Sequence, residues 1–178
     1  MRPLVFLDMD DVLCLNEQHS SILMVQRLQK NDLGYPEMWS ALLNPEAKVN
    51  LRKLHDEFAP LYVISSSWAL HLNLHQMCEL FTRTSMHIIL ENLHVHWQTP
   101  RARSSSRREE IEWWLHEHRE PGQPFVILDD VSSGWSLAYS PLDYDRHVVL
   151  CHAKEGFTLK KLDEARQLLQ QQIRQKKE

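Results

Sequence analysis

Four short apolar runs, Leu4–Leu7, Leu61–Ile64, Phe125–Leu128 and His147–Leu150, constrain the fold of this chain more than any other feature. Each is too short for a helix and rich in Val, Ile, Leu or Phe, which predicts a strand buried on both faces. Met86–Leu90 is a weaker fifth candidate. Helical patterns lie between them. Pro45–Phe58 carries Ala47, Leu51, Leu54 and Phe58 at helical spacing, with Pro45 suited to the first turn. Leu70–Phe81 is similar, Arg107–His118 puts Ile111, Trp114 and Leu115 on one face, and a last helix runs from Leu159 to about Ile173. Continuous apolar strands alternating with helices predict an α/β fold of three layers, Rossmann-like, with a central, mostly parallel sheet covered on both faces.

Residues 15–44 break this rhythm and are expected to form a small helical insertion after the first strand. Residues 95–106, with Pro100 and three serines, read as an exposed loop, and the tail RQKKE as frayed. A length of 178 residues fits one domain spanning 1–178 with that insertion. Only four glycines are present, and neither G-x-G-x-x-G nor the P-loop pattern occurs, so a Gly-rich phosphate cradle is excluded.

Composition narrows the class. Hydrophobic residues are 43% and charged residues 25%, which is globular. The apolar runs fall far short of the roughly 20 residues of a membrane helix, and MRPLVFLDMD lacks the apolar core and cleavage site of a secretory signal. No membrane association is expected. Cys14, Cys78 and Cys151 are odd in number and widely spaced, so a reduced, cytoplasmic chain is expected. A net charge of -4 argues against an extended nucleic-acid-binding surface.

In open α/β sheets, ligands bind outside the carboxyl ends of the strands. Asp8, Asp10 and Asp11 follow the first strand, Ser65, Ser66 and Ser67 the second, Asp129 and Asp130 that ending at Leu128. Five carboxylates and a serine cluster are thus expected on one rim. So many acids in a partly dry cleft raise one another's pKa values or gather a cation. Oxygen ligands without nearby His or Cys favour Mg²⁺ over zinc. One carboxylate of the Asp8–Asp10 pair can attack phosphorus while the other manages the leaving group's proton. The ordinary role of any single Asp after a strand is a turn or helix cap; the second acidic pair, Asp129–Asp130, tips the balance toward chemistry.

In their order these elements resemble the haloacid dehalogenase (HAD) superfamily of phosphotransfer enzymes. FLDMDDVL is similar to its first motif, YVISSSW to its second and FVILDD to its fourth; the third, a Lys or Arg, falls in RREEIEWWL. SSSW, RREEIEWWL followed by VILDDVSS, and HVVLCHAKEGFTLKKLDEA are similar to the branch found as a domain in Swiss Army Knife RNA repair proteins. The resemblance implies a HAD-like fold and a Mg²⁺-dependent phosphatase working through an aspartyl-phosphate on a phosphorylated substrate, with a nucleotide or nucleic-acid end among the options. It implies Asp8 as nucleophile, Asp10 as general acid and base, Ser66 (Ser65 competing) on the phosphoryl group and Arg107 (Arg108 competing) on its charge. It implies metal ligation by Asp8, by Asp10 through its backbone carbonyl, by Asp130 and by Asp129. Asp11 departs from the family, in which Gly is common there; it either caps the turn or repels a highly charged substrate.

Rival readings are a non-catalytic HAD-like binding module and a receiver-type signalling domain. The serines after the second strand and Cys151-His152 after the last disfavour a receiver, which needs a phosphoacceptor Asp after its third strand and a Lys after its fifth. The pairs His71/His75, His94/His96 and His116/His118 read as surface residues before zinc ligands. Trp114 reads as core, and Trp39, in the insertion, as core or substrate contact. Arg101–Arg108 reads as a solvated basic loop or a steering patch. The insertion is too small for a large cap, so a comparatively open cleft is expected.

Overall fold

The computed structural model describes residues 1–15, 20–32, 34–100 and 104–175. Arg101 and Arg103 of the basic run, part of the insertion, and the last three tail residues lie outside them.

In chain order the elements are β1 (Leu4–Leu7), α1 (Ser21–Gln29), α2 (Pro36–Ser40), α3 (Pro45–Phe58), β2 (Leu61–Ile64), α4 (Trp68–His71), α5 (Leu74–Arg83), α6 (His87–Leu90), β3 (Leu93–Gln98), α7 (Arg107–His118), β4 (Phe125–Asp130), α8 (Pro141–Tyr144), β5 (Val148–Cys151) and α9 (Leu159–Gln175). The five strands form one sheet in the order β3-β2-β1-β4-β5, and every pairing is parallel. That is the doubly wound order 3-2-1-4-5. A receiver-type sheet, of flavodoxin-like 2-1-3-4-5 order, is therefore not what this chain folds into.

Alternation along the strands builds two cores. Leu4, Phe6, Val63, Phe125, Ile127 and Val148 face one way and pack with Ile111 and Trp114 of α7. Val5, Leu7, Tyr62, Ile64, Val126, Leu128 and Val149 face the other way and pack with α1, α2, α3, α5 and α9. Trp39 is buried in that second core, so the option that it touches substrate is withdrawn. Two short helices, α1 and α2, occupy the insertion between β1 and α3.

Three expectations are corrected. Met86–Leu90 is not a strand; it holds the single turn α6, and the fifth strand is Leu93–Gln98, where a loop was expected from 95 onward. Polarity hid this strand. It lies at the sheet edge and needs no continuous apolar run, and a register shift opposite Tyr62–Ile64 makes its pairing irregular. The helix expected over Leu70–Phe81 is two helices, because Asn73 and Gln76 form a capping box that starts α5 afresh. The other two strand boundaries move slightly: β4 runs on through Asp129 and Asp130, and β5 starts at Val148 rather than His147.

His147 instead stacks on Phe125, with ring centroids 3.9 Å apart, and its Nδ1–H donates to the Phe125 carbonyl at 3.3 Å. Burial holds its pKa below the ordinary value of 6.5, helped by the charge of Arg119 and opposed by the carbonyl and Asp145. The unfolded chain therefore takes up a proton near pH 6.5 while the folded ring stays neutral, so this part of the stability is lost as pH falls below that value. The slope is at most about 1.4 kcal/mol per pH unit. His147→Phe keeps the stack and should flatten the drop in urea midpoint between pH 7.5 and 5.5. An unchanged drop would assign it to other groups.

Candidate active site

The site lies where the strand order reverses, between β1 and β4. Leu7 pairs with Leu128, so the next residues, Asp8 and Asp129, stand side by side, and the Asp8 N–H donates to the Leu128 carbonyl at 2.9 Å. Alternation then assigns faces. Asp8 follows Leu4 and Phe6, Asp129 follows Phe125 and Ile127, and Ser65 follows Val63, all toward α7. Arg107 opens α7 and shares its buried stripe with Ile111 and Trp114, four and seven residues on.

That stripe carries the Arg107 guanidinium into the rim. Its Nε is 2.9 Å from Asp129 Oδ2 and its Nη2 3.4 Å from Asp8 Oδ1. Its Nη1 is 3.4 Å from Ser65 Oγ and 3.8 Å from Glu110 Oε2. The side chain is 3% exposed. Arg108, one helical step round, points outward to Glu112 at 3.6 Å. Of the two competing arginines, the fold brings Arg107 to the acids.

Asp8, Asp129 and Asp130 each offer an oxygen within 4.8 Å of the others, and all three are buried. Asp130 accepts from the backbone N–H groups of Ser132 (2.6 Å) and Ser133 (3.0 Å), which turns its carboxylate back toward the strand end. The Ser133 hydroxyl touches Asp129 Oδ1 at 2.8 Å, Asp8 Oδ2 at 3.4 Å and also Asp130 Oδ2. Burial pushes the Asp8 carboxyl well above its usual range; the charge of Asp129 adds to this, while Arg107, the Ser66 hydroxyl and the Met9 N–H oppose it. Asp129 is pushed up to about 6, again first by burial. Among the described residues, the Ser66 and Ser133 hydroxyls and the Arg107 guanidinium thus face three buried carboxylates, with Glu110 also drawing on Arg107. The donor set is all oxygen, and a hard divalent cation fits it.

The serines divide. Ser66 bonds Asp8 through its hydroxyl, whereas Ser65 faces Arg107 and Thr99 Oγ1, 3.5 Å away. The Asp10 side chain stands apart from the three-acid group: its Oδ2 accepts from Trp68 Nε1 at 3.0 Å. Asp11 turns away to cap. It has a positive φ of 52°, the conformation Gly adopts most readily, and its Oδ1 accepts from the Lys154 N–H at 3.1 Å.

Sequence reasoning passed over Ser133, Thr99 and the Trp68–Asp10 bond. Gly134 was the available signal for the turn holding Ser133. A Cβ there would come within 2.6 Å of the Asp130 carbonyl oxygen and 3.2 Å of Asp129 Cβ, so a rare glycine just after paired acids marks the turn. Among the described residues, the acidic trio is the only group of three or more possible ligands drawn together; the histidine pairs form none. No helix among them is long and apolar enough to cross a membrane.

The description "HAD domain in Swiss Army Knife RNA repair proteins" belongs to the family model that matches residues 4–162. The chain belongs to this family. The match runs from β1 into α9 and includes every strand of the sheet. No curated protein and no solved structure matches the chain significantly. As a HAD domain it is a hydrolase-type scaffold, and its buried acidic trio is compatible with metal-dependent work on a phosphorylated substrate.

Proposed function

We propose that this HAD domain, acting as one unit over residues 1–178, is a Mg²⁺-dependent phosphatase that forms an aspartyl-phosphate on Asp8. The observation that carries the reading is the Asp8–Asp129–Asp130 trio with Arg107 laid against two of its members. Asp8, Asp129 and Asp130 would hold the cation, with the Asp10 main-chain carbonyl as a further ligand. When bound, the cation offsets the charge of phosphoryl oxygens and carboxylates as they approach one another.

The chain's own residues divide the remaining work. Arg107 holds phosphoryl oxygens by a charged fork, and the Ser66 hydroxyl orients the group through hydrogen bonding. The Asp8 oxygen bonds to phosphorus as the bond from phosphorus to the leaving oxygen breaks. Asp10, in its acid form, gives that oxygen its proton. Asp10 then takes a proton from water as the water oxygen bonds to phosphorus and the Asp8–phosphorus bond breaks, releasing inorganic phosphate. Trp68 fixes the Asp10 carboxylate for both transfers. The family's occurrence in RNA repair proteins makes a phosphorylated nucleotide or nucleic-acid end the first substrate class to try.

Turnover of an aryl phosphate should vanish in EDTA and return with Mg²⁺. Mg²⁺ at a hundredfold excess over its Kd should also stabilise the fold by about 2.7 kcal/mol, read as a rise in melting temperature. Undiminished turnover in EDTA would defeat the reading.

A further inference from the structure

Each acid of the trio engages one carboxylate oxygen elsewhere and turns the other toward a single hydroxyl. Asp8 Oδ1 and Asp129 Oδ2 face Arg107, and Asp130 Oδ1 takes the backbone N–H groups of Ser132 and Ser133. The other three oxygens, Asp8 Oδ2, Asp129 Oδ1 and Asp130 Oδ2, converge on Ser133 Oγ. Asp129 Oδ1 also accepts the Asp130 N–H at 2.9 Å, which fixes its direction. Ser133 is exposed while the acids are buried, so its hydroxyl lies on their solvent side, the side from which a cation arrives.

A serine hydroxyl has one proton and two lone pairs. The proton satisfies one of the three contacts. The other contacts set hydroxyl lone pairs against carboxylate oxygens, and a cation shared by the four oxygens turns that opposition into attraction. The spacing suits this role. Mg²⁺ binds oxygen at about 2.1 Å in an octahedral array, which puts neighbouring ligand oxygens about 3 Å apart. Ser133 Oγ is 2.8 Å from Asp129 Oδ1 and 3.4 Å from Asp8 Oδ2. A hydroxyl also adds a ligand without adding negative charge to a site that must admit phosphoryl oxygens. Serine and threonine hydroxyls hold Mg²⁺ beside phosphates in P-loops, so the chemistry is within the residue's range.

We propose that Ser133 Oγ is itself a ligand of the cation, a lone pair facing the metal while its proton bonds a carboxylate of the trio. The inference rests on the metal-dependent reading above and adds a neutral oxygen to its ligand set.

Calorimetry on the full chain with Mg²⁺ alone tests it. Ser133→Ala should bind Mg²⁺ at least roughly tenfold more weakly than the parent. The side chain is exposed and the backbone bonds to Asp130 remain, so the variant should fold. Ser133→Cys keeps the shape and tells a ligand from a residue that only spaces the acids. Sulfur in contact with the metal favours softer cations than Mg²⁺. This variant should also lose Mg²⁺ affinity, and with Co²⁺ it should show a sulfur-to-metal charge-transfer band. The parent, with the same Cys14, Cys78 and Cys151, should lack that band. Unchanged Mg²⁺ affinity in Ser133→Ala overturns the inference, and so does a Co²⁺ spectrum of Ser133→Cys identical to the parent's. If the parent turns over an aryl phosphate with Mg²⁺ and the variants bind metal as it does, the phosphatase reading stands and the Ser133 assignment falls. If the variants behave as stated but the parent hydrolyses no ester, the assignment stands and the phosphatase reading falls. If the parent binds no Mg²⁺, both fall.

Discussion

Asp8→Asn should lower kcat for an aryl phosphate by more than about a thousandfold, the scale on which loss of a covalent nucleophile registers. The fold should survive. Asp8 is buried beside Asp129, and burial drives its carboxyl toward the neutral form. An amide of the same shape imitates that neutral form and removes a like charge from the cluster. In metal-free buffer the variant should melt no lower than the parent, while the rise in melting temperature on adding Mg²⁺ should shrink. A variant that folds normally and still turns over would remove Asp8 from the chemistry. One that unfolds would show that its charge is needed for packing.

Arg107→Met should be the most destabilising single change at the site. It strands Asp8, Asp129 and Glu110, all buried and all within 3.8 Å of the guanidinium. Removing one partner from a buried ionic cluster costs about 3–5 kcal/mol, or on the order of 10 °C in melting temperature for a domain of this size. Arg108→Met should stay within about 0.5 kcal/mol, since Arg108 is half-exposed and its ion pair is with a half-exposed Glu112. Arg107→Lys keeps the charge but loses the planar fork. It should lower kcat/KM at least tenfold while losing less stability than Arg107→Met. Equal effects at 107 and 108 in metal-free melting would contradict the geometry described here.

These two predictions draw on different kinds of information. That Asp8 stands at the end of a buried strand is written in LVFLDMD. The run is apolar because both faces of β1 are covered, and the carboxylates begin where the apolar cover gives way to the polar groups of Arg107 and Ser133. The same holds for Phe125–Leu128 before Asp129 and Asp130. Arg107 and Arg108 were not separable by spacing. Ile111 and Trp114 lie four and seven residues on from Arg107, but Ile111 and Leu115 lie three and seven on from Arg108, and the packing of α7 decides that Arg107 takes the buried stripe. β3 was less legible. An edge strand makes hydrogen bonds on one side only and can expose Val95 and His96, so its sequence looks like a loop. The break between α4 and α5 depends on a two-residue capping box that hydrophobic spacing does not register.

The sequence by itself determined the alternating α/β architecture and the strand ends on which the acids sit, because burial periodicity and chain termination rules are local. Only the tertiary structure decided that β1 lies beside β4, that Arg107 rather than Arg108 meets the acids and that the Ser133 hydroxyl reaches all three of them. Those facts depend on strand order, on how α7 packs against the sheet and on the turn after β4. They are contacts between segments distant in the chain, and no local pattern encodes them.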